Sequence, residues 1–241
     1  MKVGLIVQAR LDSTRLPRKA LLPLAGEPLI VRVLEALSRV PVKEHILACP
    51  EDSYDTFSPL AERTGFTIMA GPKEDVLRRF VLAIEAYELD YCIRATADNP
   101  FVFIDVAWLS AQETLALGAD YGTVASMPYG SGVEIIRAEA LLQADRESRS
   151  PYDREHVCPY LYNNPARFFL HRPLAPRPWR EPRVRLTVDT PEDYERAVQL
   201  YDILSGAGSE PDKAPPNAQQ IPYRYRGEAI LTAWRKLEIK G

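Results

Sequence analysis

The sequence predicts an α/β fold built around a mostly parallel central sheet, with a smaller inserted arm in its second half. Two observations carry that expectation. Short apolar runs rich in β-branched residues recur between polar turns, and segments with 3.6-residue apolar spacing fall between them. Strand followed by helix, repeated, implies parallel strands joined by crossovers, with the ligand crevice at the carboxyl ends of the strands.

Val3–Val7 reads as the first buried strand. After Pro28, Leu29, Val33, Leu34 and Leu37 share one helical face. His45–Cys49 and Phe66–Met69 read as the next strands. Glu74 and Asp75 then precede Val76, Leu77, Phe80, Ile84 and Tyr87, which repeat at helical spacing, and acids suit the positive end of a helix. Tyr91–Ala95, Tyr121–Ser126 and Val184–Val188 complete the predicted strands. Beyond Gly130 the composition shifts toward Arg, Pro and Tyr through His171–Arg185, and an interruption of the sheet is expected there. Thr190-Pro191-Glu192-Asp193 opens a helix, with Thr190 as N-cap, Pro191 at the first helical position and Asp193 as the third-position acid. Ser205–Gln220 reads as a linker, followed by a tail with Ile230, Leu231, Trp234 and Leu237 on one face. The expected organisation is a main domain over 1–204, an acceptor or dimer arm over about 130–185, and a linker plus amphipathic tail over 205–241.

Composition excludes several classes. The 241 residues are 46% hydrophobic and 26% charged, as in an ordinary soluble enzyme, and the net charge of −3 opposes general nucleic-acid binding. The Arg167–Arg185 stretch carries six arginines, but its prolines and the acidic balance favour an acceptor lid or dimer arm over an RNA platform. No apolar run is long enough for a signal peptide or membrane span. Cys49, Cys92 and Cys158 lack CxxC spacing and read as buried thiols in a reducing cytoplasm. His45 and His171 show no metal-ligand spacing with His156.

The segment after the first strand carries the clearest chemistry. Gln8-Ala9-Arg10-Leu11-Asp12-Ser13-Thr14-Arg15-Leu16-Pro17-Arg18-Lys19 crowds four cations and two hydroxyls into a loop leaving a buried strand. Fixed donors and positive charge in such a loop replace the water around a polyphosphate. GxxxxGK[ST], GxGxxG and GxSxG are all absent. Asp98 follows a buried strand at Arg94-Ala95-Thr96-Ala97-Asp98-Asn99-Pro100, where a carboxylate enters the crevice; an Asp before Asn-Pro otherwise serves a turn. Helix capping accounts for Thr190 and Asp193 without needing Asp189.

ARxxSTRLPxK resembles the opening signature of the cytidylyltransferases that activate acidic sugars, including the CMP-KDO and CMP-sialic acid synthetases. The likeness is strongest to the spore coat polysaccharide biosynthesis protein F family, through Gly71-Pro72-Lys73-Glu74-Asp75-Val76-Leu77-Arg78-Arg79, Arg94 to Pro100, Arg154-Glu155-His156-Val157-Cys158-Pro159-Tyr160 and Thr187-Val188-Asp189-Thr190-Pro191-Glu192-Asp193. Five ordered motifs span roughly residues 3 to 203. The resemblance implies a Rossmann-like nucleotide-diphosphosugar transferase fold and transfer of CMP from CTP to a sugar, expected to be acidic, for polysaccharide or glycan biosynthesis.

On that resemblance, Gln8, Ala9, Arg10, Ser13, Arg15 and Lys19 surround the CTP phosphates, with Arg15 and Lys19 offsetting charge on the leaving pyrophosphate. Asp98 and Asp189 hold Mg²⁺. Ala70 and Gly71 border the base with Asp75 nearby, although helix-start acids explain Glu74 and Asp75 equally well. Thr96, Asn99, Glu134, Arg154 and His156 fall on the acceptor side; a structural role for His156 is equally open. Two positions depart from the family pattern: Arg18 stands where glycine is usual, and Gly132 where an acid is frequent. Asp12 replaces a small neutral residue. The implied partners are CTP, a sugar and a second copy of the chain. Use of another nucleoside triphosphate with a sugar or alcohol phosphate, and a non-catalytic nucleotide-binding module, remain open alternatives.

Overall fold

The computed structural model describes residues 1–206 and 221–239, so most of the expected Ser205–Gln220 linker lies outside the described residues. In chain order the elements are β1 (Val3–Gln8), β2 (Pro23–Leu24), β3 (Glu27–Pro28), α1 (Leu29–Leu37), β4 (Glu44–Pro50), α2 (Tyr54–Arg63), β5 (Thr67–Gly71), α3 (Val76–Tyr87), β6 (Tyr91–Thr96) and α4 (Ile104–Leu117). There follow β7 (Tyr121–Gly122), β8 (Glu134–Arg137), α5 (Ala138–Glu147), α6 (Pro151–His156), α7 (Pro159–Tyr162), β9 (Leu170–His171), α8 (Pro191–Gly206) and α9 (Gly227–Glu238).

Seven strands form one sheet in the order β5-β4-β1-β6-β8-β7-β9, while β2 and β3 make a separate antiparallel pair. The stretch from β5 to β6 is parallel; β8 runs antiparallel between β6 and β7, and β9 is parallel to β7. Successive residues of β1 enter opposite layers. Leu5 and Val7 pack with α1, α4 and α9 residues, and Ile6 packs with residues of α3 and α5. A sheet covered on both faces needs apolar residues at consecutive positions, which is why the strand runs were continuous rather than alternating. Each fully buried Leu or Ile contributes about 2 kcal/mol to this arrangement.

Three sequence expectations are corrected. Strand geometry in the Tyr121–Ser126 run stops at Gly122; Thr123 and Ala125 donate to the carbonyls of His171 and Pro173 at 3.0 and 2.8 Å, beside a segment whose prolines have no N–H to continue a ladder. Val184–Val188 is not a strand. Its amides bond to loop residues instead, Leu186 to the Tyr129 carbonyl at 2.8 Å and Val188 to the Asp98 carbonyl at 2.9 Å. The sheet is also not interrupted past Gly130, because β8 re-enters it beside β6. α4 escapes simple periodicity since Leu109 and Leu117 are exposed while Ile104, Val106 and Ala107 are buried.

The α9 face carrying Ile230, Leu231 and Trp234 is buried against α4 and α8 of the same chain, so the apolar face of the amphipathic tail is not available to a second copy. None of the described helices is long and apolar enough to cross a membrane.

The start of α8 follows the capping pattern. Asp193 Oδ2 accepts from the amides of Asp189 and Thr190 at 3.0 and 3.2 Å, and the Thr190 hydroxyl accepts from the Asp193 amide at 3.2 Å. Arg185 Nε donates to Asp193 Oδ1 at 3.0 Å. Burial raises the Asp193 carboxyl, but Arg185 and the two amides reverse this and hold it below the ordinary range. Its stabilisation is therefore present above the unfolded value of about 3.9 and lost as pH falls through the folded value. Asp193→Ala should cost about 2 kcal/mol in urea unfolding at pH 7, with the difference from wild type shrinking in acid. A pH-independent difference would refute the capping account.

Candidate active site

A cleft of about 740 Å³ opens where the carboxyl ends of β1 and β6 meet the amino end of the antiparallel β8. Gln8, Ala9, Arg10, Ser13, Arg15 and Lys19 line it from the loop after β1; Thr96, Asp98, Asn99, Glu134, His156 and Asp189 line it from the far side. The loop has its own anchors. Asp12 pairs with Lys73, which also reaches Asp52 at 2.8 Å, and Arg10 lies 3.6 Å from Glu155. Arg18 has φ 54°, in the left-handed region where a side chain costs about 1 kcal/mol and glycine nothing. Arg18 thus accepts strain at the turn that delivers Lys19.

Asp98 and Asp189 meet on one ammonium. Lys19 Nζ donates to Asp98 Oδ2 and to Asp189 Oδ1, both at 2.7 Å. Thr96 Oγ1 holds the other Asp98 oxygen at 2.6 Å, and Asn99 Nδ2 donates to that hydroxyl at 2.8 Å. Arg185 Nη2 binds Asp189 Oδ2 at 2.7 Å, and Arg15 Nη2 stands 3.3 Å from Oδ1. Burial pushes the Asp189 carboxyl up; Lys19, Arg15 and Arg185 together outweigh it and hold the group below its usual range. The backbone brings the pair together, since Val188 donates to the carbonyl of Asp98 itself.

Gly130 permits this approach. Its φ is +89°, and a Cβ there would sit 2.7 Å from the Thr187 nitrogen and 2.9 Å from Asn99 Oδ1. Gly130→Ala should push the 184–188 segment off the Asp98 loop, with a loss of about 2–3 kcal/mol in urea unfolding. A variant of unchanged stability would show that the contact is not tight.

At the β8 side of the cleft, Arg94 pairs with Glu134 and donates from Nε to Gln8 Oε1 at 3.1 Å, while Tyr121 donates its hydroxyl to Glu134 at 2.6 Å. Glu134 therefore belongs to a part-buried polar network at the cleft floor. His156 ends α6 and lies against Tyr152, ring centroids 4.3 Å apart. A Cβ on Gly132 would meet nothing within 4 Å, so the position has room for the acid that the resemblance leads one to expect.

Four of the named residues do not line the cleft. Asp75 caps α3 by accepting from the Arg78 amide at 2.9 Å, and it accepts from Arg154 Nε at 3.0 Å. Arg154 is held further by Asp145 at 2.7 Å, so its guanidinium is turned into the α3–α5 interface rather than toward an acceptor. Ala70 and Gly71 end β5, paired with Cys49 and Pro50 of β4. The helix-start reading of Asp75 is the one its contacts support.

Sequence reasoning passed over three arginines. Arg185 anchors Asp189 and Asp193 together; Arg94, a cation within an otherwise buried strand, was the readable signal for the Glu134 network. Arg79 is buried in the cleft wall, and burial and its neighbour Arg10 lower its pKa while Cys49 opposes them. The cysteines are free and buried, with thiols pushed up to about 11 for Cys49 and about 12 for Cys92.

A family model described as cytidylyltransferase matches residues 5–230. The chain belongs to the cytidylyltransferase family. Among the relatives of this cytidylyltransferase chain is the spore coat polysaccharide biosynthesis protein SpsF of Bacillus subtilis, 35% identical over 214 residues that cover 86% of this chain and 88% of that one. A cytidylyltransferase from Leptospira borgpetersenii superposes with a TM-score of 0.83 at 25% identity, covering 99% of this chain and 95% of that one. A CMP-KDO synthetase solved with CTP shares the fold, with a TM-score of 0.65 at 18% identity, covering 86% of this chain and all of that one. The central sheet is thus that of the nucleotidyltransferases, as the motif resemblance implied.

Proposed function

We propose that the protein transfers CMP from CTP to a hydroxyl of a sugar and releases pyrophosphate, using Mg²⁺ held by Asp98 and Asp189. The observation that carries this reading is the convergence of the two carboxylates, distant in sequence, on a single cation position beside the loop of Arg10, Ser13, Arg15 and Lys19. The donor set fits the ion. Carboxylate oxygens are hard ligands, and Mg²⁺ commonly takes one or two of them and completes its shell with waters and phosphate oxygens. Among the described residues no group of three or more His, Cys, Asp or Glu side chains is poised for a metal, which suits an ion that arrives with its nucleotide.

When bound, the ion supplies Lewis-acid polarisation of a phosphoryl oxygen and acidifies a nearby hydroxyl. The chain's own residues do the rest. Arg10, Arg15 and Ser13 bind the β- and γ-phosphates, where their donors offset charge on the departing pyrophosphate. Lys19 leaves the two aspartates for the phosphates as the nucleotide enters. The acceptor hydroxyl forms its bond to the α-phosphorus as the bridging bond to the β-phosphate breaks, and its proton passes to solvent. Orientation of the two substrates provides much of the rate. His156 faces the cleft and is the residue available to grip an acidic acceptor; Arg154 is engaged elsewhere.

The test is to incubate the protein with CTP, UTP, ATP or GTP, Mg²⁺ and a panel of acidic and neutral sugars while following pyrophosphate. Release that needs both CTP and one sugar is expected. A protein that fails to bind CTP overturns the proposal.

A further inference from the structure

Arg79 has no partner adequate to its charge. It projects from α3 and is 4% exposed. Its stem crosses Gly71, where a Cβ would lie 2.7 Å from Arg79 Cγ, so the last residue of β5 is glycine to let this side chain pass. The guanidinium reaches the carboxyl ends of β1 and β4. There Nη1 makes only long contacts, 3.4 Å to each of the Ala9 and Ala48 carbonyls. Nε is buried and makes no hydrogen bond, and among the described residues no carboxylate lies within ion-pair distance of the group. A buried cation left with free donors in a cleft wall is the state a ligand completes.

Position and chemistry identify the ligand's part. Asp98 follows β6, on one side of β1, and Glu134 opens β8 farther along on that side. Arg79 lies on the opposite side of β1, toward β4, which leaves that side for the nucleoside. Its neighbours in the wall include the buried apolar Ala9 and Val76 besides Arg10, and the Arg79 side chain is itself buried where Arg10 and Arg15 are mostly exposed, so a flat neutral ring fits it better than another phosphate. We propose that Arg79 reads the pyrimidine edge of the nucleotide, its guanidinium donating to the adjacent O2 and N3 acceptors of cytosine. Uracil carries a donor at N3 and meets this fork donor to donor. The inference rests on the CTP reading above and moves base selection from the backbone of Ala70 and Gly71 to a side chain that Gly71 admits.

The experiment is calorimetric titration of wild type, Arg79→Met and Arg79→Lys with CTP, UTP and inorganic tripolyphosphate in Mg²⁺ without acceptor. Wild type should prefer CTP to UTP by about 10- to 100-fold. Both variants should lose that preference, with CTP weakened at least ~10-fold while UTP and tripolyphosphate change less than about twofold. Lysine is included because it keeps the charge but not the fork, so the test stands even where methionine at a buried site prevents folding, as circular dichroism would reveal. A preserved CTP-to-UTP ratio in a folded variant, or an equal loss for both nucleotides and tripolyphosphate, overturns the assignment. Wild type that binds CTP and UTP alike overturns it too. Wild type that binds no CTP instead overturns the proposed function, and this inference with it.

Discussion

Asp98→Asn and Asp189→Asn should each lower CTP-dependent pyrophosphate release by about three orders of magnitude while far-UV circular dichroism stays unchanged. Asparagine keeps the shape and one acceptor oxygen, so the Thr96 contact to residue 98 survives, but the hard anionic donor is gone. The two variants should differ in stability. Asp189 is shared by Lys19, Arg15 and Arg185, and neutralising it leaves three cations crowded together, whereas Asp98 is paired with Lys19 among these cations. Asp189→Asn should therefore unfold at the lower urea concentration. Wild-type turnover in either variant would sink the metal role of that residue.

Lys19→Met should act in two opposite directions. Turnover should fall about 100-fold, because the side chain that offsets phosphate charge is lost. Binding of Mn²⁺ in the absence of nucleotide, followed by electron paramagnetic resonance, should tighten about tenfold, since a divalent ion no longer has to displace an ammonium held at 2.7 Å by both carboxylates. No bystander role for Lys19 predicts that pairing of weaker catalysis with tighter metal binding. Unchanged Mn²⁺ affinity would remove Lys19 as the competitor for the site, and unchanged CTP kinetics would remove it from the phosphates.

The parallel half of the fold was legible because its strands are buried on both faces and its helices carry one apolar stripe; β1, α1, β4, β5, α3 and β6 all lie where the runs and spacing placed them. The second half was less so. Proline-rich segments such as 173–178 leave backbone groups that bond to whichever loop passes nearby, and no period in the sequence records which loop that is. The cationic loop was readable from residue type and position after a strand, whereas Asp98 and Asp189 were singled out by the motif resemblance, Asp189 following a segment that is not a strand. Arg154 was misplaced for a physical reason: an Arg flanked by polar residues looks free in sequence, and its partners Asp75 and Asp145 are brought to it only by packing of α3 against α5.

By itself, then, the chain's residue order determined the layer architecture of the parallel half and the cationic loop after β1, because burial, helix periodicity and local charge are properties of neighbouring residues; the two carboxylates were singled out by the motif resemblance. Tertiary structure alone decided that the carboxylates share one cation. That outcome depends on a segment outside any strand, 184–188, donating its Val188 amide to the Asp98 carbonyl across a glycine with no room for a side chain. It decided as well that Arg79 ends without a counter-charge, since a guanidinium's partners are set by what the fold brings to its tip and not by what lies beside it in sequence.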